Sequence, residues 1–162
     1  MKACLKLFFL FLLVNCQAKQ DKPKAKIILK MISAAEQKKK IDLLTGFYWV
    51  DFSEKGIQKE TYLKDQRLYY HLLTKPFITS SNFQNIQPYF DGKSWGLKID
   101  LDPPGQAIIK SASKNLYESF GFIVNGSLVC ILGFSKKMDG KTIEISFPYF
   151  SQADVNALLI FL

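Results

Sequence analysis

Few residues in this 162-residue chain have the chemistry of a catalyst or a metal ligand. The chain contains one histidine, His71, and three cysteines, Cys4, Cys16 and Cys130. A nucleophilic or zinc site needs several such side chains at a set spacing, and no such spacing surrounds His71. We therefore expect a structural or solvent-facing His71, a small buried Cys130, and no metal or other cofactor.

Two carboxylates, Asp100 and Asp102, lie two residues apart and raise the question of acid and base catalysis. They fall in residues 95–102, which alternate as a half-buried strand does, and Lys98 shares their polar face. The apolar face of this predicted strand consists of Trp95, Leu97, Ile99 and Leu101. We interpret the two acids as solvent-facing, with Asp102 also capping a helix that begins at Pro103. The sequence thus predicts that the protein is not an enzyme, and a hydrolase is the weaker alternative.

The net charge of +8 lies outside the segment that is predicted to fold. Residues 17–40 contain eight lysines and two acids, whereas residues 41–162 contain twelve basic and twelve acidic residues. A nucleic-acid-binding domain carries its excess charge on a folded face, often with several arginines, and this chain has only Arg67. We therefore expect no nucleic-acid partner. Residues 17–40 are interpreted as a Lys-rich tether that favours anionic head groups or serves solubility.

The first residues have the layout of a secretory signal peptide. Lys2 and Lys6 precede an apolar run over residues 7–14, which is too short to cross a bilayer. Cys16 follows this run after Asn15, as in the lipobox of a bacterial lipoprotein, so residues 1–16 are interpreted as a lipoprotein-type signal peptide that is cut before Cys16, and Cys16 is expected to be lipidated. Cleavage after Ala18 by ordinary signal peptidase remains the alternative. Either route predicts export to the cell envelope, and the first adds a lipid anchor in the membrane.

Hydrophobic patterns and turn residues divide the rest of the chain. Strands are expected over residues 26–32, 47–52 and 67–73, with a polar segment between the last two. From residue 87 onward the pattern gives strand, strand, helix, strand, strand, strand, helix, with the first helix running to about residue 119. Asp-Gly or Asn-Gly pairs at residues 91–92, 125–126 and 139–140 predict the turns. Residues 128–132 are apolar on both faces and are expected to form a central strand.

This order predicts one α+β domain over residues 41–162. Three antiparallel turns and only two helices indicate an antiparallel sheet with about two helices packed on one face. The last helix has a start resembling a capping box at Ser151 and Asp154.

Residues 77–162 resemble the head of the first periplasmic domain of the SecD/SecDF protein-export membrane proteins. Three segments match that family in order and spacing: Asp102-Pro103-Pro104-Gly105, Ile123-Val124-Asn125-Gly126-Ser127-Leu128, and Phe150-Ser151-Gln152-Ala153-Asp154-Val155 with Leu158. The family's Ser-Ala-Pro after the hairpin is replaced here by Cys130-Ile131-Leu132. The chain does not contain the family's six-helix membrane segments, so the motor function is not carried over. The resemblance implies a detached head of a kind thought to contact emerging polypeptide.

The sequence therefore predicts a non-catalytic lipoprotein module that binds polypeptide or another protein in the cell envelope. Its candidate binding surface consists of Tyr48, Trp49, Tyr69 and Tyr70, which are rings that equally suit a core. The alternative is a contact-specific structural or immunity-type lipoprotein that recognises one partner. The residues alone do not distinguish these two functions.

Overall fold

The computed structural model describes residues 28–33, 43–63, 66–114, 119–133 and 140–162. Within these ranges the chain is a mixed α+β protein with antiparallel strand pairs, which confirms the predicted class. The strands are β1 (Gly46–Trp49), β2 (Ile57–Leu63), β3 (Gln66–Leu72), β4 (Ile78–Thr79), β5 (Phe83–Phe90), β6 (Trp95–Leu101), β7 (Ser119–Val124), β8 (Ser127–Gly133) and β9 (Thr142–Phe147). The helices are α1, described over residues 28–33, α2 (Pro103–Ala112) and α3 (Gln152–Leu159).

A four-stranded sheet has the strand order β4-β1-β7-β8. Its last two strands are joined by Asn125 and Gly126, whose φ angles are 45° and 73°. Both residue types tolerate positive φ, which a two-residue hairpin turn requires, so the predicted hairpin is confirmed. The backbone N–H of Asn125 donates to the hydroxyl of Thr45 at 3.1 Å and ties this turn to the start of β1.

The prediction that β8 is a central strand is wrong. In the described part of the chain β8 is the terminal strand of its sheet and pairs only with β7. The apolar pattern of residues 128–132 reflects burial of both strand faces, whereas the place of a strand in a sheet depends on distant segments. Val129 has no counterpart in the register between β7 and β8, and it forms a β-bulge at this edge.

A three-stranded sheet has the order β5-β6-β9 and separates a buried face from a polar face. Leu97 and Ile99 of β6 face the core, and Lys98 between them forms a salt bridge of 3.3 Å with Glu144 of β9. The alternation predicted for residues 95–102 is therefore confirmed. The turn before β6 is held by Asp91, whose carboxylate accepts the backbone N–H groups of residues 93 and 94 at 2.8 and 2.7 Å.

The hairpin formed by β2 and β3 makes a third, separate sheet, so the predicted single sheet is divided. β2 lies in the segment that was expected to be a polar connection, because its sequence IQKETYL lacks a clear apolar alternation. The hairpin is joined to the end of β1 by two backbone hydrogen bonds. Asp51 N–H donates to His71 O at 2.7 Å, and Leu73 N–H donates to Trp49 O at 3.0 Å.

The buried residues form two hydrophobic clusters. The main cluster lies between the two larger sheets and the three helices and includes Phe47, Phe120, Leu97 and Leu158. The second cluster lies between the four-stranded sheet and the β2–β3 hairpin, and it consists of Leu43, Tyr48, Leu72, Ile123 and Leu128. The four-stranded sheet is thus covered on both faces, which explains the apolar sequence of β8.

Both longer helices, α2 and α3, have an N-cap side chain that accepts a hydrogen bond from a free backbone N–H group. Asp102 caps α2 by accepting the Gly105 N–H at 2.7 Å, and Ser151 with Asp154 forms a capping box at α3. Both predicted helix starts are confirmed. The predicted end of α2 near residue 119 is wrong, because α2 stops at Ala112 and β7 already begins at Ser119.

The predicted first strand over residues 26–32 is also wrong in its described part, because residues 28–33 are helical. Ile28 and Ile32 are both buried in the main cluster. Their spacing of four residues places them on one helix face. A strand would also place them on one face, so the sequence alone does not distinguish the two structures. The signal peptide, Cys16 and most of the Lys-rich tether lie outside the described residues.

Candidate functional site

The two carboxylates that suggested catalysis both have structural partners. Asp100 accepts hydrogen bonds from Asn85 Nδ2 at 3.1 Å and from Thr142 Oγ1 at 2.9 Å, across the three strands of the sheet. These hydrogen bonds, with Asn85 contributing most, lower the pKa of Asp100 below its ordinary value. Asp102 caps α2 and also accepts from Asn82 Nδ2 at 3.2 Å. Neither carboxylate lines the cleft described below.

The histidine and the described cysteine lie apart from one another in the sheets. His71 is half-buried on β3, and the described residues contain no cluster of three or more His, Cys, Asp and Glu side chains that could hold a metal. Cys130 lies on β8, where burial raises the pKa of its thiol. The thiol therefore stays protonated at neutral pH and is a poor nucleophile.

The four rings proposed as a binding surface do not share one surface. Tyr48 is only 1% exposed, and its hydroxyl donates to Leu44 O at 2.9 Å, so it belongs to the second cluster and not to an exposed patch. Trp49 is half-buried and stacks on Phe77 with ring centroids 4.3 Å apart. Strand alternation explains this separation, since adjacent residues on β1 point to opposite faces.

Tyr69 and Tyr70 are likewise separated by the alternation of β3. Tyr69 is 53% exposed and lies beneath the guanidinium of Arg67, 5.4 Å from the ring centroid. Tyr70 is half-buried, packs against the second cluster and lines a cleft. Of the four predicted rings, Tyr70 alone therefore contributes to that cleft.

This cleft, which we call the Tyr70 cleft, has a volume of about 250 Å³. One wall is β8 over residues 129–132, and the facing wall is the end of β9 with the turn into α3, residues 146–150. The remaining lining comes from the β2–β3 hairpin, through Thr61, Leu68 and Tyr70, and from Ile28 of α1. The cleft thus lies between the terminal strands of the two larger sheets.

The lining of the Tyr70 cleft is uncharged and mostly apolar. None of its residues in the described structure is Asp, Glu, Lys, Arg or His. The hydroxyl of Thr61 is used by the fold itself, because Oγ1 donates to the carbonyl of Val129 at 3.0 Å. Such a lining suits an uncharged, mostly apolar group.

Most residues of the Tyr70 cleft were not candidates in the sequence. The turn at residues 148–150 and the hairpin residue Thr61 come from separate parts of the chain, and only the tertiary fold brings them to β8. One signal was present in the sequence. Residues 128–132 are more apolar than an ordinary edge strand, and this pattern was interpreted as a strand in the interior of a sheet.

Comparisons with known proteins give no further assignment. No protein-family model, curated protein or solved structure matches this chain. Among the described residues, no helix has the length and apolar character needed to cross a membrane.

Proposed function

We propose that this protein is a non-catalytic exported module that binds polypeptide, with the Tyr70 cleft as its binding site. The observation that carries the proposal is the uncharged, mostly apolar cleft between the terminal strands of two sheets. Concave apolar sites with few polar groups are the usual binding sites of folded domains. Unfolded polypeptide supplies the matching chemistry, because its apolar side chains are exposed.

The volume of the cleft favours a side chain over a free small molecule. Small-molecule sites usually enclose about 300–1,000 Å³, and an apolar cavity of about 150 Å³ holds a benzene ring. A cleft of about 250 Å³ therefore has room for one aromatic or large aliphatic side chain with part of its backbone. This size supports a peptide segment with one apolar anchor.

Two further observations support the proposal of a binding function without catalysis. The carboxylates Asp100 and Asp102 are engaged by neighbouring side chains and by a helix start. The Cys130 thiol borders the cleft, but its raised pKa keeps it protonated.

The element order from β5 to α3 agrees with the order on which the resemblance to SecD/SecDF heads rests.

The location is proposed from the sequence. We propose that the signal peptide in residues 1–16 is cut before Cys16 on export and that a lipid on Cys16 anchors the chain to a bacterial membrane, facing the periplasm or the cell surface. The intact mass of the protein from a membrane fraction tests this step. A mass that fits an acylated chain beginning at Cys16 supports the anchor, and an unmodified chain beginning at Lys19 rejects it.

The binding function is tested with a displayed library of random peptides. The protein is expressed from the full chain, purified in its processed form and immobilised. We expect enrichment of peptides that contain a large apolar residue. Tyr70→Ala should weaken binding of the enriched peptides at least about tenfold, as loss of a buried aromatic anchor does. Tyr69→Ala is the matched control and should leave binding unchanged, because Tyr69 lies on the exposed face of β3.

Three results would contradict the proposal: no enrichment, equal binding by the Tyr70 variant and the wild type, or cleavage of the peptides. Enrichment of a single defined sequence would instead favour the contact-specific or immunity-type alternative. Such a protein recognises one partner and has no use for a class of apolar segments.

A further inference from the structure

The β2–β3 hairpin is attached to the four-stranded sheet at its base and near its middle. At the base, two backbone hydrogen bonds join residues 71 and 73 to residues 51 and 49. Near the middle, the Thr61 hydroxyl donates to the Val129 carbonyl at 3.0 Å. The two strands pair with each other and form a sheet of their own. An isolated two-stranded hairpin is at best marginally stable in water, so this unit depends on its contacts with the rest of the protein.

The hairpin buries little apolar surface compared with the sheet beside it. In its described part, Leu72 is the one apolar side chain that is fully buried, and Ile57 and Tyr70 are half-buried. The six-residue strand β7 buries four apolar side chains completely: Phe120, Phe122, Ile123 and Val124. Regions with few buried apolar groups open at a lower free energy than the core of the same protein. We therefore expect the hairpin to open at a lower free energy than β7.

Leu72 packs the hairpin against a glycine of β7. A Cβ atom at Gly121 would lie 3.1 Å from Cδ2 and 3.3 Å from Cδ1 of Leu72, and 2.9 Å from Cδ1 of Leu128. Gly121 thus leaves the space that the Leu72 side chain fills, as glycine does where another group approaches a strand closely. The contact of Leu72 with Gly121 is therefore a central apolar attachment of the hairpin to the four-stranded sheet.

The hairpin also forms one side of the Tyr70 cleft. Thr61, Leu68 and Tyr70 line the cleft. They share one face of the hairpin, because Thr61 pairs with Leu68 and Tyr70 lies two residues further along β3. The other walls belong to β8 and to residues 146–150, which are parts of the two larger sheets and the turn into α3. A displacement of the hairpin therefore changes the shape of the cleft even when those walls stay in place.

From these observations we propose that the β2–β3 hairpin is a flap that opens as one unit while the two larger sheets stay folded. Opening breaks the two backbone hydrogen bonds at the base, the hydrogen bond between Thr61 and Val129, and the contact of Leu72 with Gly121. It removes one side of the Tyr70 cleft and so regulates binding there. The flap is a property of the fold, and only its effect on binding rests on the proposed function.

Hydrogen exchange of the processed protein, resolved by mass spectrometry of its peptides, tests the flap without any ligand. After correction for intrinsic rates, we expect residues 57–72 to exchange together and at least about tenfold faster than residues 97–101 and 119–124. The hairpin amides exchange through flap opening, whereas the amides of β6 and β7 exchange through global unfolding. Equal corrected rates in all three segments would overturn the proposal, because the hairpin and the core would then open only together.

Gly121→Ala tests the attachment of the hairpin through Leu72. The added methyl group pushes against Leu72, so exchange in residues 57–72 should rise at least about fivefold relative to exchange in residues 97–101. Gly133→Ala is the matched control and should leave this ratio unchanged, because a Cβ atom there meets nothing within 4 Å. Leu72→Val is a milder change at the same contact and should also raise the ratio. An equal acceleration of both segments in these two variants would contradict a separately opening flap.

A peptide from the library connects the flap to binding. A bound peptide should slow exchange in residues 57–72 at least about tenfold, because it contacts the hairpin wall of the cleft only when the flap is closed. Binding without this slowing would overturn regulation by the hairpin and leave polypeptide binding intact. Absence of any peptide binding would contradict the proposed function and the regulatory role together, whereas exchange in the free protein decides about the flap by itself.

Discussion

The hydroxyl of Thr61 donates a hydrogen bond of 3.0 Å to the carbonyl of Val129, across 68 residues of sequence. Thr61 is buried, and Val129 is the residue that bulges out of register on β8. This bond joins the β2–β3 hairpin to the edge of the four-stranded sheet. Both residues line the Tyr70 cleft, Thr61 on the side of the hairpin and Val129 on the side of β8, so the bond also holds these two walls together.

Replacing Thr61 by valine keeps the shape of the side chain and removes its donor. We expect Thr61→Val to lower the free energy of unfolding by about 1 to 3 kcal/mol, because a buried carbonyl loses its partner. Thr61→Ser, which keeps the hydroxyl, is the control and should cost less. Urea denaturation followed by circular dichroism measures both. Equal stability of the two variants would show that the hydrogen bond contributes little.

Gly96 on β6 is required by close packing between strands. A Cβ atom at this position would overlap the carbonyl oxygen of Ile145 on β9. We expect Gly96→Ala to lower the free energy of unfolding by about 3 kcal/mol or more, because two paired backbones must separate. Gly133→Ala is the control, since a Cβ there meets no atom within 4 Å, and it should change stability by no more than about 0.5 kcal/mol. A mild effect at Gly96 would contradict the close approach of β6 and β9.

Stability should fall in acid because several carboxyl groups have lowered pKa values in the fold. Side-chain hydrogen bonds are the largest cause for Asp51, Asp91 and Asp100. A carboxyl with a pKa below its unfolded value of about 3.9 stabilises the fold above that pH, and this stabilisation is lost as pH falls through the lower value. We therefore expect the melting temperature to decrease from about pH 5 to about pH 3, and Asp100→Asn to reduce that decrease.

The effect of salt on the melting temperature distinguishes hydrogen bonds from surface charge interactions as the cause of this acid sensitivity. Hydrogen bonds are the largest cause of all three shifts, and salt screens hydrogen bonds less than it screens interactions between exposed charges. The decrease in melting temperature should therefore persist at about 1 M sodium chloride. A pH dependence that disappears at high salt would instead assign it to charge interactions at the surface.

The Cys130 thiol should react slowly with alkylating reagents. Burial raises its pKa, so the reactive thiolate is scarce even at about pH 8, where an ordinary cysteine is substantially ionised. We expect iodoacetamide to modify Cys130 at least about tenfold more slowly in the native protein than in urea. Mass spectrometry of the tryptic peptide measures the two rates. Rapid native alkylation would revive Cys130 as a candidate nucleophile.

Local signals allowed the turns and helix starts to be predicted, because the residues that determine them are neighbours in sequence. Asn125 and Gly126 have the positive φ angles that their identities suggested. Asp102 and Ser151 accept the N–H groups of residues three positions later. A pattern read within a few residues is sufficient for such features.

Features that depend on distant segments could not be predicted in this way. Ile28 and Ile32 fit a strand or a helix equally well until the core is known, and β8 has a central strand's composition although it lies at an edge. Tyr48 and Tyr70 are both aromatic residues in strands, yet the former is buried and the latter lines the cleft. The lining of that cleft comes from four separate segments, which no local pattern connects.

The position of Ile28 limits how far the cleft can lie from the lipid anchor that we propose at Cys16. Ile28 lines the Tyr70 cleft and is only 12 residues after Cys16, a length of chain that spans at most about 40 Å. If Cys16 is held in a bilayer as proposed, the proposed binding site samples a thin layer next to the membrane. A segment emerging there would meet the site at a high local concentration, so that weak, broadly selective contacts suffice for capture.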